Sequence, residues 1–183
     1  MPYWNSQWQG EFGMKDARSK KVAFLAYCLL DQNARAKGLA KYPGPVSEIV
    51  KTLTTSGVGI VQMPCPELLY KDLNRMPHQR NWYDNKEFRS VSRKCAKQVA
   101  GLLDKYVKNN YQIVSIIGIE HSPSCAIEAS QAIENGDTTK GIFVQELLEE
   151  LRIRRLNNIP IIGVHIDKET IKMACKRLGQ YSM

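Results

Sequence analysis

What this 183-residue chain lacks narrows what it does. It has no apolar run of the roughly 18 or more residues that a membrane-spanning helix needs. Its first stretch, MPYWNSQWQGEFGMKDARSK, has no apolar core of the kind a secretory signal carries. No internal repeat, low-complexity tract or interdomain linker interrupts the pattern. The cysteines form neither a CxxC pair nor the compact CxxxCxxC triplet of radical chemistry on S-adenosylmethionine. Their number, five, leaves one over in any disulfide framework. Without a signal segment, that points to free thiols in a reducing, cytoplasmic setting. Acidic residues are scarce against basic ones, 18 to 26, for a net charge of +8. The excess favours anionic partners such as nucleotides or RNA. The basic residues are scattered, however. Their densest groups, Arg152 with Arg154 and Arg155 and the segment from Lys71 to Arg93, read as solvated helix faces.

What is present is the composition of a globular chain, 43% hydrophobic with a mean hydropathy of −0.36. It is long enough for one domain with a sizeable core. Residues 1–20 read as a polar extension, with Met14 as an alternative start, and residues 21–183 as a single domain. Four short apolar runs, KVAFLAY, VGIVQM, YQIVSIIGI and IIGVHI, read as strands, the first three of them buried. Helical spacing fills the intervals. Val46, Ile49, Val50 and Leu53 share a face after Pro45, and Gly57 ends that helix. A long helix is expected to turn Phe88, Val91, Cys95, Val99, Leu102, Leu103 and Tyr106 inward. A short helix is expected from Ala126 to about Ile133, and another over FVQELLEELRIRRL. The last helix, capped by Asp167, carries Ile171, Ala174, Cys175 and Leu178 on one face. Residues 64–84 read as a long polar and aromatic loop. The alternation predicts one doubly wound, Rossmann/flavodoxin-like α/β domain. Its mostly parallel sheet has roughly four to five strands, with helices on both faces.

In such a sheet the ligand site lies beyond the carboxyl ends of the strands, near the switch in strand order. Cys28, Cys65 and Cys125 each follow one of the first three strands, so they arrive at that edge. Each taken singly is a small buried hydrophobe, as Cys95 and Cys175 are on their apolar helix faces. Neighbouring strand ends lie about 5 Å apart, so three thiols on adjacent ends can meet. Three thiolates leave one iron of an iron–sulfur cubane open, or one position of a zinc ion. Proline stiffens both the MPCPE and the SPSC loops. Glu67 and Ser122 stand near this set, one suited to moving protons and the other to hydrogen bonding. On their own, Glu67 is a helix-start carboxylate, and Ser122 and Ser124 are turn and cap residues.

CLLDQN, PCPE and SPSC, in this order and each after a buried strand, resemble the 2-thiouracil desulfurase family and related desulfidases. The resemblance covers the chain from about Lys21 to the last strand. It implies an α/β fold and a [4Fe-4S] cluster held by Cys28, Cys65 and Cys125, with the fourth iron taking the sulfur of a small thiocarbonyl substrate. It implies catalytic roles for Glu67 and Ser122, and removal of sulfur as hydrosulfide without external electrons. Sulfur insertion into or removal from RNA is the alternative reaction, and a non-catalytic three-cysteine metal site the alternative function. The chain departs from the family pattern in places. Ala126 stands where the family has glycine, and ELLYKDLNRMP replaces a stretch with a Gly-Gly pair. His121 is extra, read as a structural loop-edge residue or as a further ligand or donor.

Overall fold

The protein is described by a computed structural model that covers residues 16–128 and 140–181. The expected polar extension is therefore described only from residue 16, and Met14 lies outside. The expected helix from Ala126 to Ile133 lies outside from residue 129 onward, and residues 126–128 are not helical.

The apolar runs form four strands: β1 Lys21–Leu25, β2 Gly59–Gln62, β3 Gln112–Ile119 and β4 Ile161–Val164. All pair in parallel, in the order β2-β1-β3-β4. This is the doubly wound sheet that the alternation predicts. Only β1 and β3 are buried along nearly their whole length. β2 is an edge strand with its ends exposed and its two central residues half-buried, not the buried strand expected; among the described residues no strand pairs with its outer edge. The switch in strand order falls between β1 and β3, where the chain leaves one side of β1 and returns on the other.

The helices are α1 Tyr27–Leu30, α2 Ser47–Thr55, α3 Pro66–Tyr70, α4 Arg80–Tyr83, α5 Lys86–Lys108, α6 Ile142–Ile153 and α7 Lys168–Tyr181. α2 packs with α7, and α5 with α6. Right-handed crossovers put these two pairs on opposite faces of the sheet. Asn85 caps α5 through Phe88 N, and Asp167 caps α7 through Thr170 N. Phe88, Cys95, Val99 and Leu103 of α5 are buried as expected, whereas Leu102 is 38% exposed. It lies at the rim of the apolar stripe that Cys95, Val99 and Leu103 form. Residues 64–84 are not a plain loop, since α3 and α4 interrupt them. Both helices are too short for periodicity to reveal. Among the described residues no helix is long and apolar enough to cross a membrane.

Two cores result. The larger lies on both sides of the sheet. A smaller one joins Tyr83, Phe88 and Ile142, with Tyr70 against them. It links α3, α4, α5 and α6 immediately behind the strand ends.

Candidate functional site

Each cysteine reaches the carboxyl edge on a short, well-held segment. Cys28 lies in α1, directly after β1. Its carbonyl accepts from Gln32 Nε2 at 2.6 Å, and the buried Gln32 also accepts from Lys41 N at 3.0 Å. Cys65 follows β2 and precedes α3, with Pro66 at the first position of that helix, where a missing N–H costs nothing. Cys125 ends the SPSC turn after β3. Ser122 Oγ holds that turn by accepting from Cys125 N at 3.0 Å and from Ser124 N at 3.3 Å.

The first residues of α6 dock on the same turn. Gly141 N donates to Ala126 O at 2.9 Å, Ile142 N to Pro123 O at 3.0 Å and Val144 N to Ser124 O at 3.1 Å. These bonds use N–H groups that a helix start leaves unpartnered. A Cβ on Gly141 would come within 2.4 Å of the Ser124 backbone, which explains the glycine. Ala126 is fully buried and is not in the left-handed region. Its methyl is accommodated without backbone strain. The strained position in this turn is His121, with φ +59°. His121 is exposed, and its ring lies 4.6 Å from that of His165 after β4.

Cys28, Cys65 and Cys125 all line one cavity of about 60 Å³, together with Glu67, Ser122, Ser124, His121, Arg35 and Arg75. The five residues singled out from sequence thus come together. Cys95 and Cys175, set aside as core residues, do not line this cavity. Burial pushes the Cys28 thiol up to about 12, with the Cys65 charge adding to the effect. Burial and then the Glu67 charge push Cys65 up to about 11. Cys125 is raised well above its ordinary value by burial and then by Cys65 and Cys28. The thiols therefore sit close enough to repel one another as thiolates. Among the described residues, no three His, Cys, Asp or Glu side chains close around a point fit for a single metal ion.

Glu67 is buried, 8% exposed. Its Oε1 accepts from Ser124 Oγ at 2.5 Å and from Ser122 Oγ at 3.4 Å. Its Oε2 lies 3.5 Å from Arg75 Nε. Ser124 is fully buried, and its Oγ also lies 3.5 Å from Cys125 Sγ. Tyr83 is buried behind this group, and its hydroxyl lacks a hydrogen bond of good geometry. Burial and then the Glu67 charge raise its pKa above the ordinary tyrosine value. Arg35, Arg75, Tyr83 and the contact of Ser124 with Glu67 escape sequence reasoning. Ser124 alone left a trace, as one of the two serines in SPSC.

No family model and no solved structure matches the chain. It is 32% identical over 142 residues to the uncharacterized protein MJ0003 of Methanocaldococcus jannaschii. That alignment covers 78% of this chain and 83% of the other.

Proposed function

This chain belongs to the same family as the Methanocaldococcus jannaschii protein, and we propose that it is an iron–sulfur desulfidase that removes sulfur, as hydrosulfide, from a small thiocarbonyl compound. The observation that carries this reading is the shared cavity, in which three thiols from three adjacent strands meet a buried carboxylate and two serines. The resemblance of CLLDQN, PCPE and SPSC to the desulfurase motifs supports it independently.

The donor set fits a [4Fe-4S] cluster on Cys28, Cys65 and Cys125. Soft sulfur ligands suit iron–sulfur clusters. A tetrahedral zinc needs its ligands within about 2.3 Å of one point. A cluster spreads its thiolates over separate irons, and the three cysteines that line one cavity supply three such ligands. When bound, a cluster with three protein ligands supplies an open Lewis-acid iron for the thiocarbonyl sulfur.

The remaining work falls to the chain. Water supplies the oxygen that replaces sulfur on the substrate carbon, so no electrons are exchanged. Glu67 takes one proton from that water and returns it to the departing sulfur, and the second water proton passes to solvent as the carbonyl forms and hydrosulfide leaves. Ser124 and Ser122 hold Oε1 of Glu67 in place. Burial of Glu67 limits the bulk water that competes for it.

The test is hydrosulfide release by the anaerobically reconstituted full chain, offered 2-thiouracil and a panel of thioamides. Glu67→Gln should keep its iron and lose about 10²- to 10⁴-fold in turnover, the usual worth of general acid–base catalysis. Unchanged turnover removes Glu67 from the reaction. Fully loaded protein that releases no hydrosulfide from any substrate contradicts the desulfidase reading.

A further inference from the structure

Arg75 lies between α3 and α4, and its side chain is only 5% exposed. A buried guanidinium is costly unless its donors are used. Two of its contacts are plain anchors. Nη2 donates to Ala34 O at 2.6 Å, and Nη1 donates to Asp72 O at 3.2 Å. Its own carbonyl accepts from Lys37 N at 2.9 Å. These bonds fix Arg75 to the segment that follows Cys28 as well as to its own loop. The other two contacts point into the cavity. Nη2 also lies 4.0 Å from Cys65 Sγ. Nε faces Glu67 Oε2 at 3.5 Å without completing a hydrogen bond. An arginine that served only to tie the loops would not aim a buried, unused donor at the carboxylate, and a well-packed apolar residue would fill such a place at lower cost.

We propose that Arg75 is a positioning residue that couples Glu67 to the Cys65 sulfur. One rigid, forked cation fixes the direction from which the carboxylate reaches the cavity, and it also donates to the sulfur of a ligand. The inference rests on the cluster reading above for its effect on bound iron. Donation to a ligand sulfur draws density from it and raises a cluster's reduction potential.

The experiment compares the full-length wild type with Arg75→Met and Arg75→Lys. In reconstituted protein the readouts are iron content and midpoint potential. In metal-free protein they are the alkylation rates of Cys28, Cys65 and Cys125, resolved by peptide mass spectrometry, with thermal melting as a control. Arg75→Met should lower the potential and slow alkylation of Cys65 several-fold, with Cys28 and Cys125 changing much less. Arg75→Lys should recover part of both effects. An unchanged potential, with all three cysteines altered by the same factor, would make Arg75 a structural tie and overturn the proposal. If the wild type takes up no iron, the cluster reading fails, and the cysteine-specific alkylation pattern still decides the coupling to Cys65. If Arg75→Met does not melt cooperatively, the same pattern in Arg75→Lys decides.

Discussion

Ser124 makes the shortest hydrogen bond to Glu67, at 2.5 Å, while Ser122 stands at 3.4 Å and spends its oxygen on the amides of Ser124 and Cys125. Both serines reach the carboxylate, but Ser124 chiefly holds it and Ser122 chiefly holds the turn. Hydrogen bonds to charged groups are worth about 1.5–3 kcal/mol. Ser124→Ala should thus cost about tenfold or more in turnover with iron content retained. Ser122→Ala should instead reduce iron content by loosening Cys125. Measuring both quantities in both variants checks the division, and the reverse pattern contradicts it. This split was not legible in the sequence, where both serines sit in one SPSC motif and only the fold decides which lies closer to Glu67.

The thiols carry a second consequence at this scale. In metal-free protein Cys28 and Cys65 have folded pKa values of about 12 and about 11 against an ordinary 9.0. A raised folded value leaves stability intact below the unfolded pKa and removes it as pH rises through the folded one. The melting temperature of the metal-free protein should therefore fall as pH rises from 9 to 11. Cys65→Ser should flatten part of that fall. An identical pH slope in wild type and Cys65→Ser contradicts the assignment. Iron uptake has the opposite sign, since ligation must displace these protons and is favoured by higher pH.

Among the elements, α6 matters most to the site although it contributes no ligand. Its N-terminus clasps the SPSC turn through Gly141, Ile142 and Val144. Arg93 and Arg89 of α5 pair with Glu146. Arg80 of α4 donates to Gln145 at 3.0 Å and to the Lys140 carbonyl at 3.2 Å. The position of Cys125 thus depends on two helices that precede it in sequence and one that follows it. Gly141→Ala places a methyl against the Ser124 backbone, which cannot move as a side-chain end can. That variant should fold, with a stability loss of about 1–3 kcal/mol from overpacking, and bind substantially less iron. Wild-type iron content in a folded Gly141→Ala protein would show that α6 does not set the turn. The long helices were legible from their periodicity. α3 and α4 were not, and they carry Glu67 and Tyr83. The edge position of β2 was hidden for a related reason, because apolar content reveals a strand but not its neighbours.

Over the whole molecule, strand order turns three distant cysteines into one site. β2, β1 and β3 are consecutive in the sheet, so Cys65, Cys28 and Cys125 leave neighbouring ends beside the switch point. This much was legible in the sequence, since buried parallel strands announce themselves and the site rule for doubly wound sheets names the edge to inspect. The cations at the site were not legible. Arg35 and Arg75 belong to irregular segments without period, and they resemble the solvated basic residues elsewhere in a chain of net charge +8. Their meaning comes only from the cavity they share with the thiols and, for Arg75, from burial.

The central claim is that Cys28, Cys65 and Cys125 together hold an iron–sulfur cluster. The most direct measurement is the iron, sulfide and zinc content of anaerobically purified wild type and of the Cys28→Ala, Cys65→Ala and Cys125→Ala variants, with Cys95→Ala as the control. A cubane predicts about four irons and four sulfides per chain in the wild type, the same in Cys95→Ala, and a large loss in each of the other three. A colourless, zinc-loaded wild type, or a Cys125→Ala protein with its full iron and sulfide, would contradict it.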